Sequence, residues 1–159
     1  VIIMGVDPGS HTTGFGVIAT GPVVRFLAGG IVRTRTGDPL PDRLLAIHRE
    51  ITAAITQHRP EVLVVENLFN AKNARSSLIL GHARGVILLA GAAAGLEVRE
   101  YAPREIKQAL TGNGGAAKEQ VRFMVMRLLG LKEEPPLDQS DALAAALAFA
   151  GRRRGDPAG

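Results

Sequence analysis

The chain predicts a mixed-sheet α/β domain with helices on both faces of the sheet. Three apolar runs near the start, separated by turn residues, read as an antiparallel meander of three strands. The rest alternates stretches of three- and four-residue apolar spacing with short continuous apolar runs, as helices and parallel strands do. Its 159 residues are 46% hydrophobic, which suits one domain around a single core.

The first strand runs from Val1 to about Asp7 and breaks at Pro8-Gly9-Ser10. Gly14–Thr20 and Val23–Arg33 form the second and third, joined at Gly21-Pro22. From Pro41 to His58 the spacing of Leu44, Leu45, Ile47, Ile51, Ala54 and Ile55 predicts a helix, closed by Pro60. Val62–Val65 is a strand buried on both faces and ends on Glu66. A Gly- and Ala-rich helix covers Ala74–Ala94, and Glu97–Tyr101 is a short strand. Helices follow at Pro103–Leu110, Ala117–Leu129 and Leu137–Arg153, the last set off by Pro135-Pro136. Residues 1–151 are expected to be the domain, and 152–159 a basic, flexible tail with Arg152, Arg153 and Arg154 in solvent.

Nineteen basic against fifteen acidic residues give a formal charge of +4, which favours a polyanionic partner, nucleic acid ahead of membrane surface. Without cysteine there can be neither disulfides nor thiolate metal sites. No uninterrupted apolar run has the roughly 18 residues of a membrane span, and the opening strand lacks a signal peptide's basic leader, so a cytoplasmic protein is expected. The four histidines share no metal-ligand spacing.

Chemistry concentrates in the acids. Asp7 and Glu66 each follow a hydrophobic strand, and ligands of open α/β sheets bind beyond the carboxyl ends of strands. Side by side, two such anions need protonation or a cation, and oxygen-only ligands suit Mg²⁺ or Mn²⁺. Asp138 and Asp141, three apart at the start of the last helix, share a face that packing on the sheet can turn toward the other two. The purely structural alternative makes Asp138 an N-cap and Asp141 a complement to the helix dipole.

Four blocks, in order, carry a resemblance. Val6-Asp7-Pro8-Gly9-Ser10 with Thr13-Gly14-Phe15-Gly16-Val17 resembles the opening of the RuvC family of Holliday junction resolvases. So do Glu66-Asn67-Leu68-Phe69-Asn70-Ala71-Lys72-Asn73, Leu80-Gly81-His82-Ala83-Arg84-Gly85-Val86 and Asp138-Gln139-Ser140-Asp141-Ala142-Leu143-Ala144, so that the match spans Gly5 to about Ala148. The resemblance implies a ribonuclease-H-like five-stranded sheet, three strands antiparallel and two parallel. It also implies a homodimer making paired cuts in a four-way DNA junction, and cooperation with the branch-migration proteins RuvA and RuvB. Its four acidic positions fall on Asp7, Glu66, Asp138 and Asp141, and some members carry His at the third.

The mechanism expected is phosphodiester hydrolysis by two divalent ions, Mg²⁺ or Mn²⁺, with Asp7 between them, and the resemblance implies 5′-phosphate and 3′-hydroxyl ends. Lys107 and Lys118 resemble phosphate-holding positions, and Lys72, Arg75 and Arg84 extend a basic track. Phe69, in a polar stretch and ill placed for the core, resembles a ring that stacks on bases at the crossover; otherwise it staples the following helix. Two rivals remain: a non-catalytic junction-binding protein of the same fold, and an actin- or sugar-kinase-like ATP-binding domain, for which the chain lacks a second lobe.

Overall fold

The computed structural model describes residues 1–67 and 72–155. Five strands form one sheet: β1 (Ile2–Asp7), β2 (Thr12–Ala19), β3 (Arg25–Arg33), β4 (Val62–Glu66) and β5 (Glu97–Tyr101). Their order is β3-β2-β1-β4-β5. The first three pair antiparallel, and β4 and β5 add in parallel beyond β1, as expected.

One face carries α1 (Leu40–His58) and α2 (Ala74–Ala93), whose Ile47, Ile51, Ala83 and Ile87 pack with Met4, Val6, Val17, Leu63 and Val65. The other carries α5 (Leu137–Gly155), overlaid by α3 (Pro103–Thr111) and α4 (Lys118–Leu129). Sandwiched between sheet and helices, α5 is buried all round from Ala142 to Ala150. Its six alanines across that stretch and the glycines beneath it allow a very close approach. A Cβ at Gly5 would collide with the carbonyl of Ala142, and one at Gly14 with that of Asp138. Small residues on both sides thus set α5 against the backbones of β1 and β2.

By length and composition α2 could cross a membrane. It is instead a helix with one buried stripe, Leu80, Ala83, Ile87 and Ala90, seated on the fold, while Leu78 and Leu89 face outward. Asn73 caps it, accepting the Ser76 N–H at 2.9 Å.

Three expectations change. The core face of α1 includes Arg43, 6% exposed, whereas Leu45 is 45% exposed. Asp138 lies in the first turn of α5 and is not its cap. The helix also continues through Arg152–Arg154, where a tail was expected. Arg152 lies over the Tyr101 ring at 4.4 Å and pairs with Glu105 at 3.2 Å. Arg154 donates to the Gly21 carbonyl at 2.6 Å. These partners, on β5, α3 and the β2–β3 turn, hold the last helical turn in place.

Candidate active site

Side chains alternate along a strand, and this parity aims the acids. Ile3, Val62 and Val64 belong to the α5 side of the core, so Asp7 and Glu66, at even spacing from them, face α5 as well. In the parallel register Val6 lies opposite Val65, which makes Asp7 and Glu66 the next residues on adjoining strands. Across the cleft α5 supplies Asp138 from its first turn and Asp141 three residues on.

Asp7, Asp138 and Asp141 each present an oxygen within 4.8 Å of the others. Glu66 joins through a hydrogen bond with Asp7. All four side chains are half-buried. A hollow of about 290 Å³ among Asp7, Ser10, Thr12, Glu66, Asp138 and Asp141 opens beside them. A second, about 210 Å³, shares Glu66, Lys118 and Asp141 and has Ile106, Val121 and Ala144 on its floor.

Electrostatics mark the cluster as strained without a cation. Burial, then the charges of Glu66, Asp141 and Asp138, push the Asp7 carboxyl from 3.8 up to about 9. Burial and Asp141 push Glu66 up to about 7, against the hydrogen bond from Asp7 and the opposing pull of Lys118 and Lys107. Asp141 is raised chiefly by burial, with Lys118 drawing it back. An all-oxygen donor set whose ionised form is this unfavourable fits hard divalent cations.

Lys118 is the nearest described cation, 3.9 Å from Asp141, and its side chain is 64% exposed. Lys107 lines the second hollow with it. Lys72, just before α2, and Arg75, in its first turn, are exposed, and no described contact joins them to the carboxylates. Arg84 is otherwise engaged, in an ion pair with Glu100. Phe69 lies outside the described residues.

Two residues of this region had no functional signal in the sequence. Thr12 donates its hydroxyl to Asp138 Oδ2 at 2.6 Å. The buried Arg43 donates to the Ser10 carbonyl and, at 3.3 Å, to the Thr34 hydroxyl, which fixes the turn after Asp7.

The family model described as crossover junction endodeoxyribonuclease RuvC matches residues 3–149. The chain belongs to the RuvC family. A RuvC from Pseudomonas fluorescens is 47% identical over 153 residues, covering 96% of this chain and 87% of the relative. One from Alkalilimnicola ehrlichii is 51% identical over 146 residues, covering 91% and 88%. Among solved structures, Thermus thermophilus RuvC in complex with a Holliday junction substrate superposes with a TM-score of 0.91 at 39% identity, covering 97% of this chain and 95% of that one. The yeast mitochondrial Holliday junction resolvase Ydc2 shares the fold, with a TM-score of 0.70 at 10% identity, covering 96% and 80%. The sheet order and the helices on both faces are therefore those of the ribonuclease-H-like RuvC fold. RuvC membership also makes the chain a divalent-metal-dependent endodeoxyribonuclease, and among the described residues Asp7, Asp138 and Asp141 form a cluster that could hold a metal ion.

Proposed function

We propose that the chain resolves four-way DNA junctions by paired symmetric nicks, with Asp7, Glu66, Asp138 and Asp141 as its catalytic carboxylates. The observation that carries this reading is the convergence of three carboxylate oxygens within 4.8 Å, with Glu66 bonded to one of them, where two parallel strands end. Two ions, Mg²⁺ or Mn²⁺, would be held by these four residues and supply an activated water and charge stabilisation for phosphodiester hydrolysis. The chain's own part is to keep Asp7 between its neighbours on a rigid strand and to aim Asp138 and Asp141 from one helix face. Lys118 and Lys107 offset the negative charge of the cleft and give a scissile phosphate something to approach. Lys72 and Arg75 would extend this surface as phosphate contacts, and the family resemblance gives Phe69 the part of a ring that stacks on bases at the crossover.

Paired nicks call for two active sites related by a two-fold axis, so a homodimer is part of the proposal. The outer face of α2 supports it: Leu78 is 67% and Leu89 61% exposed, and nothing stands within 4 Å of a Cβ built on Gly81 or Gly85 between them. Two copies of such a helix can approach closely. Partnership with the branch-migration proteins RuvA and RuvB, and action in the cytoplasm, are carried by family membership alone.

A labelled synthetic junction and a linear duplex, incubated with Mg²⁺, Mn²⁺ or EDTA, test the reading. Symmetric nicks near the crossover, lost in EDTA and in Asp7→Asn while junction binding persists, are expected. Binding without cutting under every metal would make the chain a junction-binding protein and overturn it.

A further inference from the structure

Thr12 opens β2 on the face turned to α5, in alternation with Gly14 and Gly16. Its hydroxyl proton goes to Asp138 Oδ2 at 2.6 Å, joining residues 126 positions apart. Among the described hydrogen bonds none uses the other oxygen of that carboxylate. The threonine is itself held firmly. Its backbone pairs with Arg33 on β3. The preceding turn is pinned by Arg43 on the Ser10 carbonyl and by the Thr34 N–H on the His11 carbonyl at 3.1 Å. Branching at Cβ further limits how its hydroxyl can turn.

A carboxylate in the first turn of a helix has a competing option, since unpaired backbone N–H groups at that end attract it. We propose that Thr12 is a positioning residue that denies Asp138 this alternative, holding Oδ2 so that Oδ1 is presented to a divalent cation. The role extends the reading of Asp138 as a metal ligand and rests on it. It also accounts for a short polar residue at the start of a strand whose next α5-facing positions are glycines.

Mn²⁺ binding, followed by calorimetry or by the spin-resonance signal of free Mn²⁺, reads the role without relying on turnover. Thr12→Val is expected to bind Mn²⁺ about tenfold more weakly, the lower range for loss of a ligand's supporting hydrogen bond. Its melting temperature and junction affinity in EDTA should match the wild type, and Thr12→Ser should restore Mn²⁺ affinity. Asp138→Asn should weaken Mn²⁺ binding, and adding Thr12→Val to it should change nothing more, because the hydroxyl then has no ligand to orient.

Wild-type Mn²⁺ affinity in Thr12→Val, alongside weakened binding in Asp138→Asn, would overturn the role of Thr12 and leave the metal-ligand reading standing. Wild-type affinity in Asp138→Asn would overturn both. Early melting of Thr12→Val in EDTA with normal Mn²⁺ binding would assign the hydroxyl to stability alone and likewise sink the proposal.

Discussion

Replacing Asp7 with asparagine keeps the shape of the side chain and removes the most perturbed carboxyl of the cluster. In the metal-free protein its pKa stands at about 9, against 3.8 without the fold. A carboxyl raised in this way adds stability that is fully present below the unfolded value and is lost as pH rises through the folded one. Near pH 7.5 the unfolded chain has released this proton and the folded chain still holds it. The interval from 3.8 to that pH, at roughly 1.4 kcal/mol per unit, corresponds to a penalty of about 5 kcal/mol relative to a neutral side chain. Water entering the cleft screens the charges, which brings the expected effect to about 2–5 kcal/mol. Urea or thermal unfolding in EDTA should therefore find Asp7→Asn more stable than wild type near pH 7.5, by on the order of 10 °C in Tm. The gap should shrink as pH falls and close below about 3.8, where the wild-type carboxyl is protonated in both states. Mg²⁺ or Mn²⁺ should then raise the wild type and leave the variant nearly unchanged, because only a bound cation relieves the repulsion. A variant no more stable than wild type in EDTA, or a difference independent of pH, would refute the electrostatic reasoning.

Other expectations follow from contacts already described. Gly5→Ala places a methyl against the Ala142 carbonyl, so α5 must lift from the sheet. Unfolding experiments should show a loss of about 1–3 kcal/mol, the usual cost of overpacking, with cutting reduced further because Asp138 and Asp141 move with the helix. Lys118→Ala and Lys107→Ala should each weaken junction binding and lower the slope of log affinity against log salt by about 1, measured by titration at several salt concentrations. An unchanged slope would place the lysine away from phosphate. Leu89→Glu on the open face of α2 should convert a dimer to a monomer in light scattering with little change in Tm, whereas a dimer that survives it uses another surface.

The acids were legible because their positions depend on local rules. Asp7 and Glu66 each terminate an uninterrupted apolar run, and Asp138 and Asp141 stand one helical turn apart, so strand parity and helix periodicity aim all four. The helices and strands fall within about two residues of their expected bounds for the same reason. Those two residues mattered at β2, which starts at Thr12 and so brings the hydroxyl to Asp138. Arg43 was opaque for another reason. An arginine in an amphipathic helix reads as a solvent-facing charge, and here it is buried on a backbone carbonyl that any residue at position 10 would offer. Arg152–Arg154 read as a tail because three charges carry no mark of Tyr101, Glu105 and Gly21, which receive two of them across the fold. Close packing of α5 was only half visible: the alanines were plain, and the glycines that meet them lie more than a hundred residues earlier.

That seating of α5 has a consequence for how the enzyme is made. Two of the four carboxylates ride on the last element of the described order, and the other two stand on strands completed much earlier. During synthesis the growing chain therefore displays Asp7 and Glu66 alone, an incomplete pair with weak hold on metal. On the proposed roles of these acids, nicking competence would arrive only when the final helix docks over the glycines of β1 and β2. With the four acids in the roles proposed, a molecule whose last helix is missing or undocked would hold metal poorly and leave DNA uncut, so cutting is tied to completion of the fold.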